Sequence, residues 1–144
     1  MKTRFTPLVK VKKDSMQKCE REFQHSSRLL QLAESTLKQA IETLNASSTP
    51  SSGEVSQLLR SRTLIEVQRG IVERCRDEAA AAQTALEHSR EALRLAMLEY
   101  EKFKYLEAEQ IKEALQKQKR RQQRELDEIA VQNYGIKKGN DAEI

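Results

Sequence analysis

Few residues in this chain have side chains that could do metal or covalent chemistry. It holds two histidines, His25 and His88, and two cysteines, Cys19 and Cys75. Neither cysteine nor carboxylate spacing supplies the further ligands that a metal site would need. The sequence contains no glycine-rich phosphate loop and no candidate set of serine, histidine and aspartate. We therefore predict no metal, no cofactor and no catalytic site, and expect a function in binding or assembly.

A basic run over residues 116–125 could bind a charged partner. It has five basic residues and no acidic one before position 125: Lys117, Lys119, Arg120, Arg121 and Arg124. Nucleic-acid phosphates, bulk solvent and an acidic protein surface are the three alternatives. The aromatic residues are not interleaved with the run, and three acidic residues follow it within positions 125–128. We therefore expect no nucleic acid and favour an acidic protein surface.

Composition limits the kind of fold that can position these charges. Of the 144 residues, 38% are hydrophobic, 33% are charged and 4% are aromatic, and the net charge is +4. Such a chain cannot fill a thick interior, but it favours long helices that share a narrow apolar seam. No apolar run approaches the ~18 residues of a membrane span, and the basic first 13 residues lack the apolar segment of a signal peptide. We expect a cytosolic protein with reduced cysteines.

A cluster of small turn residues over 46–53 divides two helical stretches. We predict a single coiled-coil domain with one helix over about residues 7–46 and a turn over 47–53. A second helix follows over about 54–133, and a tail over 134–144.

Residues with capping preferences mark the predicted helix ends. Thr6 before Pro7 suits the start of the first helix, because proline fixes φ where its missing N–H costs nothing. Ser51 with Glu54 resembles a capping box for the second helix. Gly135 and the two residues before it resemble the end of that helix.

Both helices repeat apolar residues every seven positions. In the first helix the repeat is Val9, Met16, Phe23, Leu30, Leu37 and Leu44. In the second helix it is Leu58, Ile65, Val72, Ala79, Leu86, Leu93 and Tyr100. The positions three residues later are mostly small, which lets two helices approach closely. Because a short link joins them, we predict an all-α, antiparallel two-helix coiled coil whose longer second helix overhangs the first.

The register of this coiled coil follows from the position of the turn. If the turn centres near Pro50, Pro7 lies opposite a residue in the nineties. Cys19 and Cys75 both fall at small seam positions, about six residues out of register and roughly 9 Å apart along the axis, too far for a disulfide. His25 and His88 fall on the solvated side.

The second helix beyond the end of the first carries apolar side chains that need a partner. The stripe there shifts by one residue and continues through Ala108, Ile111, Leu115 and Ile129. An isolated helix is marginal in water, so we predict an external partner for this overhang. Alternatively, the N-terminal residues, including Phe5, cover Tyr100 and Phe103. The predicted partner-binding residues are Lys10, Lys12, Lys13, Tyr100, Phe103, Leu106, Ile111, Leu115, Lys117, Arg120, Arg121 and Arg124.

Both ends of the chain resemble one known family. RFTPLVKVKK at residues 4–13 and ELDEIAVQNYG at residues 125–135 are similar to the two ends of FliJ, a component of the bacterial flagellar type III export apparatus. The likeness covers the whole chain as a pattern of basic start, heptad helix, Ser-rich turn and longer heptad helix.

The resemblance implies a coiled coil similar to the central stalk of rotary ATP synthases. It implies that the open end of the hairpin inserts into the hexameric ring of the export ATPase FliI. Further implied partners are the cytoplasmic domain of the export gate FlhA and the export chaperones, with membrane contact only indirectly through the gate. Exposed apolar residues near the turn, such as Ile41, Leu64 and Ile71, are candidates for the gate contact. A self-associating structural coiled coil, or another coiled-coil adaptor, is the alternative function.

Overall fold

The chain forms two helices. A computed structural model describes residues 1–47 and 53–142, with side chains up to residue 139. Helix α1 spans Thr6–Ala46 and helix α2 spans Val55–Ala142, and no strand occurs in the described ranges. The predicted all-α fold with a longer second helix is confirmed. Most of the predicted turn, with Ser51, lies outside the described residues.

Neither helix, over the residues that the structure describes, has an apolar stretch long enough to cross a lipid bilayer. The chain divides into two compact units. The hairpin unit is Lys13–Leu98, and the terminal unit is Met1–Lys12 with Glu99–Ile144.

An antiparallel seam holds the hairpin unit together. Ser26 Oγ lies 2.9 Å from Ser89 Oγ. The Ser47 hydroxyl donates to Gln68 Oε1. Ser47 lies three heptads after Ser26 on α1, and Gln68 lies three heptads before Ser89 on α2. The two helices therefore run antiparallel in constant register.

The predicted heptad positions of the hairpin unit are all partly or fully buried. The most buried are Val72, which is 4% exposed, and Cys75 and Leu86, which are each 7% exposed. No described side chain is fully buried. Each seam residue therefore contributes less than the roughly 1.5–3 kcal/mol of a fully buried large apolar side chain, and stability is spread along the seam.

The start of α2 extends beyond the end of α1. Because Ser47 pairs with Gln68, the residues from Val55 to Val67 lie past the last residue of α1, over about 20 Å of helix. The register expected from a turn centred near Pro50 is therefore wrong. A Ser-rich link does not determine the register, because an extended chain covers more than twice the axial distance of the same number of helical residues.

A hydrogen-bonded turn over residues 3–6 precedes α1 in the terminal unit. Thr3 Oγ1 accepts a hydrogen bond from the Phe5 N–H at 3.1 Å, and the Thr3 N–H donates to Thr6 Oγ1 at 2.9 Å. The Thr6 N–H donates to the Thr3 carbonyl at 3.2 Å. Helix α1 then begins at Thr6, the residue before Pro7.

Phe103 packs against the N-terminal residues in the terminal unit. Its ring centroid lies 6.4 Å from that of Phe5 and 5.5 Å from Lys12 Nζ. Lys12 Nζ also lies 3.5 Å from Glu99 Oε2. Pro7, five residues before Lys12, therefore lies opposite residues after Phe103 and not opposite the nineties.

Helix α2 continues to Ala142, past the end predicted at residue 133. Gly135 lacks the positive φ of a glycine that ends a helix, whereas Gly53, just before α2, has a φ of 147°. With no residue in the left-handed conformation at this point, the Asn-Tyr-Gly segment remains helical.

Candidate partner-binding surfaces

The end of α2 presents a basic face. Lys117, Arg120, Arg121 and Arg124 follow at helical spacings of three, four and seven residues and line one shallow surface depression. Every residue from 115 to 139 is exposed. None of the four basic side chains forms an ion pair with another residue in the described ranges. The face is therefore available to an anionic partner.

An apolar stripe lies beside this basic face on the same helix. Ala108, Ile111 and Leu115 line a shallow groove together with two lysines, Lys112 and Lys119. Leu115 is 46% exposed, Ala108 is exposed and Ile111 is half-buried. Further along α2, large apolar side chains are more than half exposed: Leu126, Ile129, Val131, Tyr134 and Ile136.

The predicted partner-binding residues nearest to the N-terminal residues are partly covered. Tyr100, Phe103 and Leu106 are half-buried. Phe103 contacts Phe5 and Lys12, as in the alternative of a closed seam. Of the predicted residues on α2, Leu115 and the four basic residues after it are the exposed ones.

Polar residues continue the covered face of α2 beyond Phe103. Glu107, Gln110 and Ala114 keep the heptad spacing and are half-buried, and Gln110 Oε1 is shielded from solvent without a hydrogen-bond partner among the described residues. Sequence reasoning missed them because the apolar pattern shifts to the adjacent face at this point. The heptad repeat could have predicted their partial burial, because Glu107 and Ala114 lie seven and fourteen residues after Tyr100, and Gln110 lies seven residues after Phe103.

The predicted N-terminal lysines differ in environment. Lys10 and Lys13 are exposed, whereas Lys12 is half-buried between Glu99 and the Phe103 ring. Lys12 therefore stabilises the terminal unit and is less available to a partner than Lys10.

The histidines and cysteines form no joint site. His25 and His88 are exposed, Cys19 is half-buried and Cys75 is buried. No group of three potential metal-ligating side chains occurs among the described residues. The observed register separates the two cysteines by three heptads, about 31 Å along the axis, so the predicted offset of six residues was too small.

The start of α2 carries a second exposed apolar surface, in the hairpin unit. Leu59, Leu64 and Val67 are 59%, 56% and 54% exposed. Of the candidate gate residues near the turn, Leu64 and Ile71 are exposed, whereas Ile41 is half-buried.

One ion pair of the hairpin unit has well-aligned atoms. Arg94 Nη2 lies 2.6 Å from Glu91 Oε1, and Arg94 Nε lies 3.0 Å from Glu91 Oε2. The hydrogen bond and the positive charge of Arg94 lower the pKa of Glu91 below its ordinary value. Both side chains are in solvent, so the pair belongs to the solvated face and to neither candidate surface.

Comparison with known families agrees with the pattern of the chain. The family described as "Flagellar FliJ protein" matches residues 1–139. Comparisons with curated proteins and with solved structures find no match. Because the match spans nearly the whole sequence, the chain belongs to the FliJ family of flagellar export components.

Proposed function

We propose that this chain is a non-enzymatic flagellar export factor that binds the ring of the export ATPase FliI through the end of α2. The observation that carries the proposal is the basic face of Lys117, Arg120, Arg121 and Arg124, on a helix whose residues from 115 to 139 are all exposed. Four cations within two helical turns suit an acidic surface, such as the bore of a ring. Ile111 and Leu115 supply apolar contact beside them.

The other proposed partners are the cytoplasmic domain of the export gate FlhA and the export chaperones. Family membership supports this part of the proposal, and no residue is assigned to either contact. The proposed location is the cytoplasm, with peripheral attachment at the inner face of the cell membrane through the gate.

Charge reversal tests the ATPase contact. Changing Lys117, Arg120, Arg121 and Arg124 to Glu should weaken binding of purified export ATPase at least tenfold, about 1.4 kcal/mol, in fluorescence titrations. The control reverses four exposed cations of the hairpin unit: Lys18, Arg21, Lys38 and Arg90. Equal affinity of the two variants would refute a specific role for the basic face.

Self-association is the second candidate function, because Leu126, Ile129 and Ile136 are more than half exposed. Sedimentation at micromolar concentration separates the two: a monomer leaves these side chains free for another protein, whereas a stable dimer covers them. A salt titration with a random DNA duplex tests nucleic-acid binding, which we do not expect.

A further inference from the structure

One face of α2 in the terminal unit is covered in its first part and open in its second part. Four residues follow one another along it at seven-residue intervals: Phe103, Gln110, Lys117 and Arg124. Residues seven apart lie on the same side of a helix. The first two are half-buried, and the last two are exposed members of the basic face. The basic face therefore continues, on the same side of α2, the face that is covered at Phe103.

The cover over this face is the N-terminal segment, residues 1–6. The centroid of the Phe5 ring lies 6.4 Å from that of the Phe103 ring, and Lys12 Nζ lies 5.5 Å from the same ring. One heptad before Lys12 is Phe5, and one heptad after Phe103 is Gln110. Antiparallel pairing in this register therefore puts Phe5 opposite Gln110.

Few interactions hold the N-terminal segment on α2. Its side-chain hydrogen bonds, from Thr3 to Phe5 and to Thr6, lie within the segment itself. No hydrogen bond or ion pair joins residues 1–6 to α2 among the residues that the structure describes. The contact that remains is the aromatic pair of Phe5 and Phe103, whose ring planes are tilted by 51°.

Gln110 opposes the closed position of the cover. Its Oε1 is shielded from solvent and has no hydrogen-bond partner among the described residues. A buried acceptor without a donor destabilises the state in which it is buried. Water would hydrate this oxygen if the N-terminal segment moved away. Closing the cover therefore gains the contact of Phe5 with Phe103 and loses the hydration of Gln110.

We propose that residues 1–6 are an exchangeable cover over a partner-binding face of α2, and that this face extends from the basic face back to Phe103. The partner displaces the cover, because it replaces the Phe5 contact and gives Gln110 a donor. In the free chain the closed cover limits binding to the basic face. That the partner is the export ATPase rests on the proposed function, whereas the opening of the cover is a property of this chain alone.

Amide hydrogen exchange, followed by NMR on the full chain, measures the opening without a partner. The Val9 N–H donates to the Phe5 carbonyl at 2.8 Å, and this bond breaks when Phe5 leaves α2. Phe5→Ala should speed exchange of the Val9 N–H at least tenfold, because the aromatic contact is lost. Gln110→Leu should slow it at least tenfold, because leucine removes the unpaired acceptor. Unchanged exchange in either variant would overturn the proposal.

Two control variants make the same kinds of change away from the cover. Val11→Ala shortens a side chain of α1 that is 61% exposed, and Gln132→Leu replaces an exposed glutamine of α2. In both controls, exchange of the Val9 N–H should stay within twofold of the rate in the original chain. A control that reproduces the change seen in its matched variant would show a general effect on helix stability, and the cover would be refuted.

Binding of the purified export ATPase tests whether the cover limits the contact. In fluorescence titrations, Phe5→Ala should tighten binding at least threefold, and Gln110→Leu should weaken it at least threefold. The double variant should bind as tightly as Phe5→Ala alone, because no cover remains for the leucine to stabilise. Equal weakening by Gln110→Leu with and without Phe5 would mean that Gln110 contacts the ATPase directly, and would overturn the cover.

The cover and the proposed function fail in different ways. If charge reversal of the basic face weakens ATPase binding but Phe5→Ala leaves the affinity unchanged, the cover is refuted and the proposed function stands. If charge reversal leaves the affinity unchanged, the proposed function is refuted. Faster exchange of the Val9 N–H in Phe5→Ala, with slower exchange in Gln110→Leu, would then still support an exchangeable cover on α2.

Discussion

At the scale of single residues, position on the helix decides whether an apolar side chain stabilises the fold or remains free. Leu30 is half-buried in the seam of the hairpin unit, whereas Leu32, two residues later, is 64% exposed. Phe103 is in contact with Phe5 and Lys12, so a substitution there changes packing as well as any partner contact. Exposure, and not residue type, separates the two roles.

Leu30→Asp tests the seam. Placing a carboxylate among apolar side chains without a partner should reduce the free energy of unfolding by about 2–4 kcal/mol, measured by urea denaturation followed by circular dichroism. Leu32→Asp makes the same chemical change at an exposed site and should cost less than about 0.5 kcal/mol. Equal losses for the two variants would contradict the observed seam.

At the scale of elements, the heptad pattern predicts which faces of the helices meet but not how far one helix slides along the other. The seven-residue repeats through Phe23 and Leu86 predicted the buried face correctly. The register was wrong because the link after Ala46 can span several helical turns when extended. The end of α2 was missed because Gly135 keeps a helical backbone.

Gly135→Ala tests the length of α2. In a helical backbone with open space around the Cβ position, alanine should stabilise the end of the helix by about 0.5–1 kcal/mol and increase helicity there, measured by NMR carbon chemical shifts. If Gly135 instead ends the helix in a left-handed conformation, alanine will introduce strain and local helicity will not rise.

A designed disulfide tests the register of the hairpin unit. In a chain whose native cysteines are changed to alanine, Ser26→Cys with Ser89→Cys should oxidise readily, because the two serine hydroxyls are 2.9 Å apart. The control, Ser26→Cys with Ala82→Cys, moves one partner by a heptad, about 10 Å, and should remain reduced. Electrophoresis without reductant distinguishes the two products, and a bridge in the control alone would mean a different register.

At the scale of the whole molecule, the chain combines a stabilising seam with exposed stretches of its longer helix. The seam explains why the sequence can maintain two long helices with only 38% hydrophobic residues. The candidate site could be predicted in part. The exposure of the basic face and of Leu115 agrees with a prediction from charge and spacing, and their role in binding stays a prediction. The partial burial of Phe103 and Leu106 depends on the register, which composition does not determine.

Truncation of α2 tests whether its basic end binds the export ATPase. Binding of the purified export ATPase would be compared between the full chain and a chain that ends at residue 114, the last half-buried position of α2. The shortened chain should keep the helicity of its remaining residues and bind the ATPase at least tenfold more weakly than the full chain. Full affinity in the shortened chain would contradict it, because the basic face at Lys117, Arg120, Arg121 and Arg124 would then not be the contact.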